Sequence, residues 1–224
     1  MSTPPPVIAI DGPAASGKGT IAANVARALG MHRLESGALY RAVALAVLQA
    51  GTAVDDEREV AEKTKKLRIE LDAGRVLMDG ADVTEAIRTE AVSAAASRVA
   101  VYPEVRAALL AQQRGMRRPP GLVAEGRDMG TVVFPDATLK IFLTAGAEAR
   151  AERRLKQLIE KGISVTMYSL LRDIRDRDAR DAGRAEAPLR PAAGAVTLDT
   201  TRLSIAEATD AVLALYRASV SDAG

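Results

Sequence analysis

Residues 12–20 read G-P-A-A-S-G-K-G-T. Small, glycine-punctuated residues ahead of a lysine suit a loop whose backbone N–H groups, with the N-terminus of a following helix, cradle polyphosphate. Gly12, Pro13, Ala14, Ala15, Ser16, Gly17, Lys18, Gly19 and Thr20 are therefore the candidate nucleotide loop. Lys18 would reach the outer phosphates and stabilise the migrating group, and the Thr20 hydroxyl would ligate Mg²⁺. The position directly after the lysine holds Gly19, with Thr20 one place later, so the match is to the G-K-G-T variant of the pattern.

A second group of charged residues falls where strands end and helices begin: Ser36 and Arg41, then Glu125, Arg127 and Asp128. Each alone could be a solvated cap or a surface ion pair; beside a phosphate loop they favour one anion-lined crevice. Arg150 and Arg154, four apart, share a helix face and could reach phosphate, or could pair with Glu148 and Glu152; Arg153 is assigned to that solvated pairing. The apolar stripe of Leu170, Leu171 and Ile174 continues at helical spacing into Arg177, Asp181 and Arg184. This is either i,i+4 pairing in water or a set of groups facing a polar cleft, and the cleft is favoured. Arginines around a second anion site suit a reaction between two phosphate-bearing molecules. An acceptor phosphate oxygen is already anionic, so no general base is needed, and positioning with charge stabilisation carries the rate. The lone His32 is read as structural or exposed.

These groups need a scaffold. Residues 7–10 are an apolar run of strand length ahead of the loop, and residues 21–29 carry helical spacing up to a stop at Gly30. A short strand ending at Glu35 or Ser36 and a helix over 38–50 follow. The charged run D-D-E-R-E loosens the pattern. The stretch K-L-R-I-E-L-D-A-G-R-V-L-M-D-G then alternates apolar and polar residues around Ala73 and Gly74, predicting a hairpin within an insertion over about 60–95. Helix is expected over 91–116 with a break at Pro103, strand over 121–126 and 139–145, helix over 147–161 and 166–182, and strand over 195–200. Ser204 and Glu207 form a capping box for a last helix with Ile205, Ala208, Val212 and Leu215 inward. Five core strands alternating with helices predict an α/β fold: a parallel sheet with helices on both faces. Residues 1–6 are expected to form a loose, proline-stiffened tail.

Composition removes other chemistries. There is no cysteine and one histidine, which excludes disulfide frameworks, thiolate metal sites and His-cluster centres. Thirty-one Lys+Arg against 29 Asp+Glu leave a formal charge of +2, so the pI of 9.0 is weak support for nucleic acid, and aromatics at 3% supply few stacking platforms. In R-D-I-R-D-R-D-A-R-D the aspartates nearly cancel the arginines. No apolar run approaches the ~18 residues of a membrane span, and no leader pattern is present, so the expectation is a cytoplasmic protein with no nucleic-acid or membrane partner.

The segments G-P-A-A-S-G-K-G-T, E-S-G-A-L-Y-R, E-A-I-R-T-E-A-V-S-A-A-A-S-R-V-A, E-G-R-D-M-G-T-V-V-F-P-D-A and R-D-R-D-A-R-D-A-G-R-A-E-A-P-L together resemble the bacterial cytidylate kinase family over nearly the whole chain. The resemblance implies a P-loop NTPase three-layer fold with a five-stranded parallel sheet, an inserted monophosphate-binding subdomain and a short lid. As one domain over 1–224, it would have a core over about 6–40, 101–150 and 166–220, a monophosphate region over 41–100 and a lid over 151–165. It implies transfer of the γ-phosphoryl of ATP to CMP or dCMP with Mg²⁺, in pyrimidine nucleotide metabolism, by a monomer. Carried over by position, Ser36, Arg41, Arg127 and Arg177 would hold the acceptor phosphate, Asp181 with Arg177 would meet the ribose, and Ser97, Arg106, Asp128 and Arg184 would surround the cytosine. By looser analogy with adenylate kinase, Arg150 would lie against the donor adenine, Arg154 would bind the transferring phosphate, and Glu125 would hold Mg²⁺ through water. Lys18, Arg127, Arg154 and Arg177 are the expected catalytic groups. The sequence departs from the family in E-S-G for D-S-G and E-G-R-D for D-G-R-D, which leaves the role of the longer Glu125 open. A carboxylate at Asp128 can accept from the N4 amine of cytosine and repels the O4 of uracil. A kinase for another acceptor such as UMP, and a nucleotide-dependent binding switch, are the competing readings.

Overall fold

The computed structural model describes residues 4–72, 74–160 and 162–221; the expected hairpin position Ala73, the expected helix end Lys161 and the first three residues of the expected tail lie outside them. In chain order the elements begin with β1 (Val7–Asp11), α1 (Lys18–Leu29) and β2 (His32–Glu35). Next come α2 (Ser36–Gln49), α3 (Glu57–Lys66), β3 (Ile69–Asp72), β4 (Arg75–Met78), β5 (Ala81–Asp82), α4 (Glu90–Val99) and α5 (Pro103–Gly115). The chain then returns through β6 (Leu122–Gly126), β7 (Leu139–Thr144), α6 (Ala147–Glu160), α7 (Met167–Ala182), β8 (Val196–Asp199) and α8 (Ile205–Ser221). Two compact units divide it, residues 1–33 with 117–224 and residues 34–116. The division brings α5 into the second unit, whereas the sequence reading places residues from 101 onward in the core.

The first unit is built on a five-stranded sheet in the order β2-β6-β1-β7-β8. The β1–β6, β1–β7 and β7–β8 pairings are parallel, with Ile10 opposite Glu125 and Ile141. Every residue of β1 and β6 is buried, as a central parallel strand covered on both faces requires, while β7 alternates and β8 is mostly exposed at the edge. α1 lays Ile21, Ala22, Val25 and Ala26 into the core beside Ala208, Val212 and Leu213 of α8. Fully burying each such Ile, Val or Leu side chain contributes about 1.5–3 kcal/mol. The expected capping box starts α8: the Glu207 N–H donates to Ser204 Oγ at 3.2 Å, and the Ser204 N–H to Glu207 Oε2 at 2.9 Å. α6 and α7 pack through Ala151, Leu158, Leu170 and Ile174.

Between β6 and β7 lies a turn that the sequence reading did not foresee, a π-helix over Met129–Val133. The Asp128 carbonyl accepts from the N–H groups of Val132 and Val133 at 2.9 and 3.1 Å, and Phe134 donates to Met129 at 2.7 Å. Wide turns of this kind recur at functional sites because they re-aim the side chains they carry.

The second unit holds α2 to α5 and a small antiparallel sheet in the order β3-β4-β5. The expected hairpin is β3 with β4, Leu71 opposite Val76; β5 adds a third strand, Met78 opposite Ala81. The D-D-E-R-E run, read as a loosening, instead starts α3. Asp56 caps it by accepting from the Glu59 N–H at 3.0 Å, and Glu57 and Glu59 complement the positive end of the helix dipole. Tyr102 precedes the break, and Pro103 takes the first position of α5, where its missing N–H costs nothing.

Candidate active site

β1 delivers the chain into the loop with little room to spare. A Cβ at Gly12 would approach the Leu143 carbonyl oxygen on β7 to 2.5 Å, so only glycine passes there. Beyond it, Ala15 (φ 58) and Gly17 (φ 87) adopt left-handed backbone, alternating with residues of negative φ. Such alternation turns successive N–H groups toward one concavity and makes an anion nest, and alanine is a small non-glycine residue for a strained position. Ser16 is buried with no hydrogen-bond partner at its Oγ. Lys18 arches back to donate to the Pro13 carbonyl at 3.1 Å, while Thr20 is exposed in the first turn of α1. Burial first, then the Arg127 charge, pushes the Lys18 ammonium down to about 7; Glu125 works the other way, and Arg177 and Asp181 add smaller opposing contributions. These groups therefore gather electrostatically around one ammonium.

The loop's carbonyls are tied off from behind. Arg150, 4% exposed, donates to the Ala14 carbonyl at 3.3 Å and the Ala145 carbonyl at 2.9 Å, and grips Asp178 through both terminal nitrogens at 2.9 and 2.5 Å. The edge of the Arg150 guanidinium is thus taken by protein oxygens, while lying against the donor adenine, as the resemblance implies, would use its planar face. Arg153 donates to the Ser16 carbonyl at 3.4 Å, to Thr200 Oγ1 at 3.3 Å, and to the Thr200 carbonyl. Thr200 Oγ1 lies 3.3 Å from the Ser16 carbonyl and 3.1 Å from that of Thr144. The solvated pairing with Glu148 and Glu152 assigned to Arg153 is thus corrected, for Glu148 pairs with Arg175 on α7 and Arg153 turns inward to the loop. Arg154 is half-exposed, its Nη1 3.5 Å from Gln157 Oε1.

At the carboxyl end of β6 the charged residues form a connected set. Arg127 Nε donates to Asp181 Oδ2 at 2.7 Å, and Arg184 holds Asp181 Oδ1. Burial works to raise the Asp181 carboxyl, but the Arg127 and Arg184 guanidiniums outweigh it and hold the group below the usual carboxylate range. On the charged continuation of the α7 stripe, Asp181 is therefore paired with Arg127 and Arg184 instead of facing water. Asp128, 4% exposed, opens the π-turn. Asp11 clamps that turn: its carboxylate accepts from the N–H groups of Met129 and Gly130 at 2.9 and 2.8 Å, while burial pushes its pKa up to about 6. Glu125 pairs with Arg33 of β2, a residue the sequence reading passed over. Asp11, Arg33, Asp178 and Thr200 all escaped it because their partners lie far along the chain.

In the second unit, Ser36 is buried at the start of α2 and Arg41 pairs with Glu35. Ser97 is buried on α4 with its Oγ lacking a partner, and Arg106 on α5 donates to the Ala100 carbonyl at 3.3 Å. His32 contacts the Pro119 carbonyl at 2.9 Å, a structural role.

A family model described as cytidylate kinase matches residues 8–218. The chain is 58% identical over 215 residues to a cytidylate kinase of Burkholderia ambifaria, covering 96% of this chain and 94% of the relative. It is 57% identical over 215 residues to that of Paraburkholderia phymatum, with the same shares covered. Among solved structures, an uncharacterized protein from Eubacterium ventriosum superimposes with a TM-score of 0.52 at 12% identity, over 95% of this chain and 98% of that one, which speaks to the fold alone. With the phosphate loop, the β6 end and the α7 arginines all inside the matched span, the chain belongs to the cytidylate kinase family.

Proposed function

We propose that the chain transfers the γ-phosphoryl of ATP to CMP or dCMP, giving ADP and CDP or dCDP, by in-line displacement between two nucleotides. The observation that carries the mechanism is the pairing of a left-handed, glycine-lined loop that holds Lys18 on the Pro13 carbonyl with a set in which Arg127 and Arg184 share the buried Asp181. ATP phosphates would take the N–H groups of the loop, and Lys18 would leave the Pro13 carbonyl for the donor phosphates. With the acceptor phosphate already anionic, the protein's work is alignment and neutralisation: Lys18, Arg127, Arg154 and Arg177 would carry the charge spread over the transferring group.

Ser36, Arg41, Arg127 and Arg177 would hold the acceptor phosphate, and Asp181 with Arg177 the ribose. Asp181 then does double duty, since it holds Arg127 and Arg184 in place without ligand. Ser97, Arg106, Asp128 and Arg184 would surround the cytosine; the buried Ser97 Oγ without a partner and the buried Asp128 carboxylate supply polar groups suited to a base edge.

The donor set also suits Mg²⁺. The exposed Thr20 hydroxyl and the Glu125 carboxylate offer hard oxygens, and among the described residues no group of three or more His, Cys, Asp or Glu could cage a metal by themselves. Thr20 would be the direct ligand and Glu125 would act through water, with phosphate and water completing the shell. Bound there, Mg²⁺ would neutralise charge on the donor phosphates. Residues 151–165 would act as the lid that excludes water, so that ATP is not spent on hydrolysis. The same reading makes the protein a cytoplasmic monomer; no helix among the described residues is long and apolar enough to cross a membrane.

A coupled assay of ADP release across CMP, dCMP, UMP, AMP and GMP tests the proposal. Turnover with CMP and dCMP well above the rest is expected. ADP release without formation of CDP or dCDP, or a preference for UMP, refutes it.

A further inference from the structure

Arg33 has no role in the reading above, yet it reaches the most sensitive part of the site. It stands on β2, neighbour of β6, and its Nη2 engages Glu125 Oε1; the two side chains are 30% and 5% exposed. The pair lies against the first turn of α1. A Cβ at Gly19 would come 3.4 Å from both Glu125 carboxylate oxygens and 3.6 Å from Arg33 Nη2. Glycine directly after the lysine therefore leaves space for this pair, and a longer side chain directed the same way would overlap it.

A carboxylate this deep must find a positive partner, because a buried charge without one is strongly unfavourable. Three cations belong to this part of the site, and Arg33 pairs with Glu125. Arg127 has its Nε on Asp181. Lys18 feels the Glu125 charge and has its ammonium on the Pro13 carbonyl. Arg33 makes the ion pair. Were Arg33 absent, the extra methylene of glutamate would let the carboxylate swing toward Lys18, and an ammonium bound to Glu125 is an ammonium withheld from phosphate.

We propose that Arg33 is a positioning residue that occupies Glu125 and so keeps Lys18 available to the donor phosphates. The inference rests on the reading of Lys18 as the donor-phosphate group. It also accounts for two local features together, a glutamate at position 125 and an arginine two residues ahead of Glu35 on the adjacent strand.

The test is metal-free ATP binding by calorimetry in EDTA, together with steady-state kinetics and melting temperatures, for wild type, R33L, R33K, R33L/E125Q and K18A. R33L should bind ATP roughly tenfold more weakly, the size of one charge-assisted hydrogen bond lost, and should raise KM for ATP while leaving KM for CMP in place. R33K should recover part of the loss, and R33L/E125Q most of it, because the neutral amide no longer competes for the ammonium. If R33L weakens ATP binding and the double variant weakens it equally or further, the pair only braces the two strands and the proposal is overturned. Unchanged ATP binding in R33L overturns it as well, even if the melting temperature falls. K18A separates the two layers: normal ATP affinity there removes the reading of Lys18 itself, whereas weakened binding in K18A with an unaffected R33L removes only the role of Arg33.

Discussion

In the phosphate loop, side chains work from behind: Arg150, Arg153 and Thr200 hold the carbonyls of Ala14 and Ser16. In the cluster around Asp181 the side chains are themselves the charge, with Arg127 and Arg184 sharing one buried carboxylate. The loop's attraction for anions comes from fixed backbone dipoles that no proton or salt ion removes. The cluster's attraction is a balance, three ionised groups held together by mutual compensation, and breaking one member leaves the others buried and unpaired. A fixed cradle suits the donor polyphosphate. A compensated cluster suits an acceptor that must be admitted, recognised and released.

That contrast can be broken first at Lys18, where the two halves meet. Lys18→Ala should lower kcat in the coupled assay by about 10²-fold or more, the scale of losing one charge-stabilising donor in a transition state. A variant with near-normal turnover would mean that the backbone cradle suffices.

Asp11 links the loop to the π-turn, and its titration should be visible in stability. The folded carboxyl ionises near 6 and the unfolded one near 3.8, so its contribution is complete below 3.8 and is lost as pH rises through 6. Between pH 4 and 7, wild type should lose about 2 kcal/mol relative to Asp11→Asn, whose amide does not titrate. Urea unfolding at several pH values reads the difference, and parallel curves would show that burial does not raise the Asp11 carboxyl.

On the proposed reading, base choice belongs to the cluster side. Asp128→Asn can donate to the O4 of uracil, so the preference for CMP over UMP should fall by about tenfold, within the range set by one base contact. An unchanged ratio would move discrimination to Ser97, Arg106 or Arg184. On the loop side, Arg153→Met should raise KM for ATP by roughly fivefold, a typical worth for one such hydrogen bond, with KM for CMP constant. Equal effects on both nucleotides would erase the distinction between cradle and cluster. Smallest of all, Lys65→Ala removes exposed pairs with Glu62 and Glu104 in the second unit and should leave melting temperature and turnover where they are. A clear drop would show that surface charge matters in that unit as buried charge does in the first.

The two regions also differed in how far they could be read beforehand. The loop is a contiguous string whose strand and helix flanks carry their own periodicity, and β1, β6, β7, β8 and the capping box of α8 were foreseen for the same reason. The supports were not. Glu125 and Arg33 are 92 residues apart and Arg153 and Thr200 are 47 apart, so no local pattern marks either pair. Arg153 was misread because its sequence neighbours Glu148 and Glu152 offered a nearer partner, whereas the helix turns it toward the loop. α3 was missed because polar residues dominate it: only its buried Val60, Ala61 and Thr64 betray an inner face. The π-turn leaves no periodic signal, being five residues of one wide turn.

Thr200 carries a consequence for how the molecule is made. Its hydroxyl touches Ser16 across 184 residues of sequence. During synthesis the loop emerges early, yet the last hand on its carbonyls arrives only when the chain has passed residue 200. Nascent chains stalled before that point should therefore fail to be retained on immobilised ATP, and chains released a few dozen residues later should bind. On this view nucleotide capture is one of the final events of folding, guarded by a contact that spans 184 residues.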